Sequence, residues 1–251
     1  MSMIVDQKYW DDSYEKYIFK ELPKNDPTKK ILEKIIPNAN EGQTVFELGC
    51  FPGRFLIEIG RKGYILNGCD TNRRVVEDLP NWLRKNGCKI GNFYNIDYKE
   101  YLKTYYEKYD IVCSFGFIEH FLNYEEVFWD HIKLLKNNGI LIIQFPNFRG
   151  LVQYSLHKFF DLDNLNNHVI DAMNVEFYEK SIQKNFEILF SGYYGNFDFW
   201  IDDFKKKNGR VKNKLLSFLF KTKKYWNKLP NTSIYSPYGI IIAKNRINSN
   251  E

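Results

Sequence analysis

The stretch that decides the fold is Thr44-Val45-Phe46-Glu47-Leu48-Gly49-Cys50-Phe51-Pro52-Gly53. Its first half reads as a strand, and its second half as a sharp turn into a helix, where glycines at 49 and 53 let the backbone approach a ligand closely. Working outward, Asp70 ends the next strand candidate, 21 positions beyond Gly49. A carboxylate at that place suits both hydroxyls of a ribose. Asn95-Ile96-Asp97 ends a third candidate on the same edge and suits an adenine amino group. Three loops therefore converge on one crevice outside the carboxyl ends of the strands. The pattern G-x-G-x-x-G of a dinucleotide site is missing, and so is a phosphate-binding loop ending in Gly-Lys-Ser/Thr, since Gly53 is followed by Arg54. Taken singly, the glycine pair also reads as a plain turn and the acidic strand ends as helix caps.

Short apolar runs at Thr44–Leu48, Ile65–Cys69, Lys89–Tyr94, Asp110–Phe115 and Ile140–Phe145 alternate with helical patterns at Arg54–Lys62, Arg73–Lys85, Tyr98–Glu107 and Tyr124–Lys136. The last of these helices is expected to stop at Asn137-Asn138-Gly139. Such alternation predicts an α/β, doubly wound, mostly parallel sheet with helices on both faces. A helix around Glu176–Lys184 and strands at Phe186–Tyr194 and Tyr238–Ala243 bring the sheet to seven strands. A single domain over 1–251 is expected, with a helical cap over 1–40 and a basic insertion over 196–236 between the last two strands. In the cap, Trp10, Tyr14 and Tyr17 and then Ile31, Ile35 and Ile36 recur at helical spacing.

Glu47, Gly49 and Gly53 resemble the first motif of the class I S-adenosylmethionine-dependent methyltransferases of small-molecule type, an acidic residue followed by Gly-x-x-x-Gly. The resemblance covers residues 40–147 and implies the Rossmann-like methyltransferase fold with S-adenosyl-L-methionine as cofactor. It implies Glu47 as the motif's acid, Asp70 on the ribose, Asp97 near the adenine, Gly49 beside the methionine moiety, Gly53 closing the loop and Phe115 as an apolar contact to the nucleoside. Many members carry a third glycine where this chain has Phe51-Pro52, so the loop is expected to be stiffer and poorer in free amides.

Beyond the fourth strand lies Ser114-Phe115-Gly116-Phe117-Ile118-Glu119-His120-Phe121. Neither the Asp/Asn-Pro-Pro-aromatic motif of adenine methylation nor the Pro-Cys pair of cytosine methylation occurs there. Ile-Glu-His resembles the loop of small-molecule enzymes, among them the O-methyltransferases of quinone biosynthesis. His120 is the candidate general base for a substrate hydroxyl. The alternative is a structural role, bonding the loop or capping the helix near Tyr124. Glu119 is read as structural or cofactor-facing. The histidines at 120, 131, 157 and 168 are scattered and form no H-E-x-x-H, so no metal is expected. Tyr9-Trp10-Asp11-Asp12-Ser13-Tyr14 resembles an opening that folds over cofactor and substrate in relatives, or reads as an apolar helix face. Asn147, Tyr154, His157 and His168 are pocket candidates.

Of the 251 residues, 44% are hydrophobic and 27% charged, which excludes disordered and collagen-like classes. The net charge of +5 is uneven: residues 204–228 hold ten Lys/Arg and no acid, leaving 26 basic against 31 acidic residues elsewhere. A chain-wide nucleic-acid surface is thereby disfavoured. Val211, Leu215, Phe218 and Leu219 fall at helical spacing among lysines, a basic amphipathic helix read first as a lid over the active site. A patch for an anionic substrate or membrane surface comes second, and RNA binding third. Four cysteines without a C-x-x-C pair, no basic-then-apolar opening and no long apolar run predict a reduced, cytoplasmic protein. The expected activity is methyl transfer to a small molecule, foremost to oxygen, on a sugar-like or anionic acceptor. An RNA methyltransferase and a non-catalytic nucleoside-binding relative are the alternatives.

Overall fold

The computed structural model describes residues 3–199, 209–226 and 228–246. The apolar runs form β1 (Thr44–Leu48), β2 (Ile65–Asp70), β3 (Lys89–Asn95), β4 (Tyr109–Phe115), β5 (Leu135–Pro146), β6 (Phe186–Tyr194) and β7 (Tyr238–Asn245). They make one sheet in the order β3-β2-β1-β4-β5-β7-β6. The first five are parallel, and β7 runs antiparallel between β5 and β6. The order reverses between β1 and β4, and at such a switch point the loops beyond the strand ends splay apart and leave a crevice.

Alternation along each strand builds two cores. Phe46, Val112, Leu141, Ile143 and Ile241 belong to one, while Val45, Ile111, Cys113, Ile142 and Ile242 belong to the other. Strands buried on both faces read as continuous apolar runs, as in 111–113 of β4 and 140–143 of β5. On the first face, α6 (Tyr98–Thr104), α7 (Tyr124–Lys133) and α10 (Val175–Ile182) contribute Tyr101, Phe128 and Tyr178. On the second, α2 (Pro27–Ile35), α3 (Leu56–Gly60) and α5 (Leu79–Lys85) contribute Leu32, Ile57 and Leu83.

The helices are shorter than their patterns predict, each for a local reason. The expected helix Arg54–Lys62 contracts to α3, whose end tightens into i+3 bonds (Lys62 N–H to Ile59 O, 3.0 Å; Gly63 N–H to Gly60 O, 2.9 Å) before Gly63 at φ +96°. Arg73–Lys85 splits into α4 (Arg74–Glu77) and α5, because Pro80, in the first turn of α5, has no N–H to continue the ladder. The helix expected to reach Lys136 ends at Lys133. Leu135 already pairs with Tyr109, so Asn137-Asn138-Gly139 lies inside β5 with Asn138 at φ +61°.

The amino-terminal α1 (Gln7–Tyr14) ends before Tyr17. Between β5 and α10 lie α8 (Leu151–Phe160) and α9 (Leu162–Asn166). The basic amphipathic pattern forms α11 (Arg210–Trp226), with Val211, Leu215 and Phe218 exposed. The part of the expected insertion at 200–208 lies outside the described residues. Among the described residues, no helix is long and apolar enough to cross a membrane.

Candidate active site at the carboxyl rim of the sheet

A cavity of about 500 Å³ opens at the carboxyl ends of β1, β2, β3 and β4. Glu47, Gly49, Gly53, Asp70, Asp97, Phe115 and His120 all line it. Their convergence follows from topology, since parallel strands deliver their carboxyl ends, and the loops after them, to one edge.

The glycine loop is held by its own backbone and by Asp70. Gly49 and Cys50 donate their N–H groups to Cys69 O at 3.0 and 3.1 Å, tying β1 to β2. Asp70 Oδ2 accepts from Phe51 N at 3.0 Å and Oδ1 from Asn72 N at 2.8 Å. Gly49 sits at φ +66°, and a Cβ there would fall 2.3 Å from Phe117 Cδ2, so only glycine meets both demands. The Phe51–Pro52 peptide is cis.

Burial governs the electrostatics. Asp70 is pushed up to about 6, foremost by desolvation, against the hydrogen bonds from Asn72 and Phe51. Glu47, at 3% exposure, is pushed well above the ordinary carboxylate range by burial and then by Asp70. Its Oε2 has no hydrogen-bond partner among the described residues. Asp97 caps α6, accepting from Lys99 N at 2.9 Å, and also lines the cavity. The ring of Phe115 packs on Phe55 at 4.8 Å between centroids.

The other end of the cavity is the loop after β4. His120 Nδ1 lies 2.8 Å from Asn167 O, and burial, then the neighbouring His168, lowers its pKa to about 3. The imidazole is therefore neutral at pH 7. Its conjugate acid is so strong that the ring is a weak proton acceptor, which argues against a simple general base. His120 thus bonds the Asn167 carbonyl and also lines the cavity.

Glu119 is fully buried with no side-chain partner for its carboxylate among the described residues, and burial raises it to about 8 against the nearby backbone N–H groups of Glu119 and Phe117. The scatter of histidines in sequence, on which the absence of a metal was expected, does not survive folding: Glu119, His120 and His168 come together. Trp10 sets its ring edge against His120 at 4.8 Å, so the Tyr-Trp opening of α1 does cover this end.

Of the four pocket candidates, only His168 lines the cavity. Asn147 instead holds Ser233 O and Ser236 O at 3.0 and 2.8 Å. His157 is buried with its ring 4.0 Å from Phe148, and Tyr154 packs against the first core. Sequence reasoning missed Arg54 as a lining residue, exposed at the mouth, together with Gln144 on β5 and Tyr238 on β7. Gln144 and Tyr238 occupy the carboxyl end of β5 and the start of its antiparallel neighbour, a position that no local motif marks.

The methyltransferase domain family matches residues 14–185. A curated relative, the ubiquinone biosynthesis O-methyltransferase of Rickettsia prowazekii (strain Madrid E), is 29% identical over 119 residues, covering 47% of this chain and 46% of that protein. The chain thus matches just under half the length of that relative. Among solved structures, the S-adenosylmethionine-dependent methyltransferase of Geobacter sulfurreducens in complex with S-adenosyl-L-homocysteine superposes with TM-score 0.58 and 14% identity over 98% of this chain and 100% of that one. The corresponding enzyme of Thiobacillus denitrificans, also in complex with S-adenosyl-L-homocysteine, gives 0.57 and 16% over 97% and 100%. With the family matched over more than half of its length, and with the sheet order and rim cavity found here, the chain belongs to the methyltransferase domain family, in the class I, S-adenosylmethionine-dependent group.

Proposed function

We propose that the chain moves a methyl group from S-adenosylmethionine to a hydroxyl oxygen of a small-molecule acceptor. The observation that carries this reading is that one cavity joins the Glu47–Asp70–Asp97 rim to the Glu119–His120 loop. S-adenosylmethionine supplies, when bound, a methyl on a sulfonium, so good a leaving group that alignment and exclusion of water contribute most of the rate. The residues present suit such a guest. Glu47 keeps a buried oxygen without a partner among the described residues, and each Asp70 oxygen accepts one backbone bond, from Phe51 or from Asn72, while retaining a second lone pair.

In this reading Asp70 accepts from the ribose hydroxyls, Asp97 from the adenine amino group, and Glu47 faces the positive methionine end. Gly49 and Gly53 shape the loop, and Phe115 covers the nucleoside. His120, neutral and bonded through Nδ1, presents its other nitrogen as a hydrogen-bond acceptor for the substrate hydroxyl. Aromatic walls from Trp10, Tyr14, Phe117 and Phe148 favour an acceptor with a flat or apolar body, and Arg54 at the mouth favours one with an anionic group. Transfer to oxygen is supported by the likeness of residues in this loop to the quinone-pathway enzymes and by the curated O-methyltransferase relative. The cytoplasm as site of action is part of the same proposal, supported by four free, buried cysteines.

The test is to incubate the chain with methyl-labelled S-adenosylmethionine and separate pools of phenols, sugars, hydroxy acids and total RNA. Label in a low-molecular-weight ether, with S-adenosylhomocysteine formed in equal amount, is expected. Label in RNA alone, or cofactor binding without transfer to any pool, would overturn the assignment.

A further inference from the structure

We propose that Glu119, His120 and His168 form a site for one divalent transition-metal ion at the acceptor end of the cavity. One ligand atom from each of the three lies within 4.8 Å of those from the other two, and all three residues line the cavity. His120 Nδ1 lies 2.8 Å from Asn167 O, and His168 Nδ1 lies 2.6 Å from Asn164 O. A carbonyl can only accept, so in both rings Nδ1 carries the proton and Nε2 carries the lone pair. Imidazoles that hold metals are oriented in this way, by giving the remote N–H to a carbonyl or carboxylate. The third residue is the fully buried Glu119, whose two oxygens meet no side-chain partner among the described residues and feel only the nearby backbone N–H groups of Phe117 and Glu119. Such a group is costly to bury and calls for a counter-charge or a ligand.

The backbone fixes the set from two sides. Val169 N–H donates to Glu119 O at 2.7 Å, and Ile4 N–H donates to His120 O at 2.9 Å. Two neutral imidazoles and one carboxylate, facing open space, suit manganese, iron, cobalt or zinc rather than calcium or magnesium. Coordination of the acceptor hydroxyl would lower its pKa and aim its oxygen, replacing the direct hydrogen bond to His120 Nε2, whose single lone pair the metal would then hold. This role rests on the methyl-transfer reading, but occupancy of the site does not.

The test is direct titration of the purified chain with Co²⁺ and Zn²⁺, read by cobalt absorption and by metal content after gel filtration, with no acceptor present. One equivalent of cobalt with visible absorption bands is expected, displaced by zinc, with affinity lowered more than tenfold in Glu119→Gln and in His168→Ala. A circular dichroism spectrum like the parent's and a cooperative thermal melt for each variant show that the fold persists. Absence of saturable one-equivalent binding in the parent overturns the proposal, as does equal metal affinity in both folded variants. A bound metal without methyl transfer would leave this site standing and count against the proposed function alone.

Discussion

Asp70 is the residue on which cofactor affinity should depend most, and Asp70→Asn is the perturbation that isolates it. In the parent, one carboxylate oxygen is engaged by the glycine loop, at 3.0 Å from Phe51 N, and the other by the turn after β2, at 2.8 Å from Asn72 N. Asparagine keeps one acceptor oxygen and presents an NH₂ to the other donor, so one backbone bond is lost and the negative charge with it. A hydrogen bond to a charged group is worth about 1.5–3 kcal/mol, which predicts cofactor binding about 10- to 150-fold weaker. The same residue sets a pH dependence. Ribose hydroxyls donate to the ionised carboxylate, and Asp70 in the free protein is raised to about 6. Acidification therefore protonates the binding form, and affinity should fall about tenfold between pH 7 and pH 5.

The other shifted groups in the cavity stay largely unchanged over that window. His120 titrates near 3, His168 near 4 and Glu119 near 8, all outside that window, and burial raises Glu47 well above the ordinary carboxylate range. The assay is calorimetric titration with S-adenosylhomocysteine at several pH values. The parent should show the decline and Asp70→Asn a flat, low profile. Stability moves the opposite way: a carboxyl raised on folding contributes most below the unfolded value near 4, and that contribution is lost as pH rises through 6. Removing the charge should therefore offset the lost backbone bond, and the unliganded variant should melt within a few degrees of the parent at pH 7. A variant that binds within threefold of the parent, or a parent profile flat from pH 7 to 5, would refute the assignment of Asp70.

Gly49→Ala should destabilise by about 2–4 kcal/mol in urea unfolding, combining a left-handed backbone for a residue with a Cβ and a collision with the Phe117 ring. Parental stability would show that the loop relaxes freely. His131 lies within the sheet-facing side of α7, bonded to Val127 O at 2.7 Å and Ser114 Oγ at 2.9 Å, and burial lowers it to about 4. A depressed histidine stabilises above its unfolded value near 6.5 and loses that contribution as pH falls toward 4. On going from pH 7 to 4.5, the parent should lose about 2–3 kcal/mol more than His131→Gln, and equal losses would contradict it.

The seven strands and the rim were legible in the chain because both are local or nearly so. A short apolar run marks each strand within its own few residues, and a parallel sheet then carries Gly49, Asp70, Asp97 and Phe115 to one edge without further information. Helix ends were less legible, since Pro80 and the early pairing of Leu135 with Tyr109 act through bonds that periodicity does not register. Tertiary structure alone decided the rest. His168 meets Glu119 and His120 only after β5, α8 and α9 intervene, and Tyr238 reaches the cavity from β7, near the far end of the chain. The weak basicity of His120 and the raised Asp70 were equally out of reach of the sequence. A side chain's type states what proton it can carry, but the water that surrounding segments remove from it determines whether it does so at neutral pH.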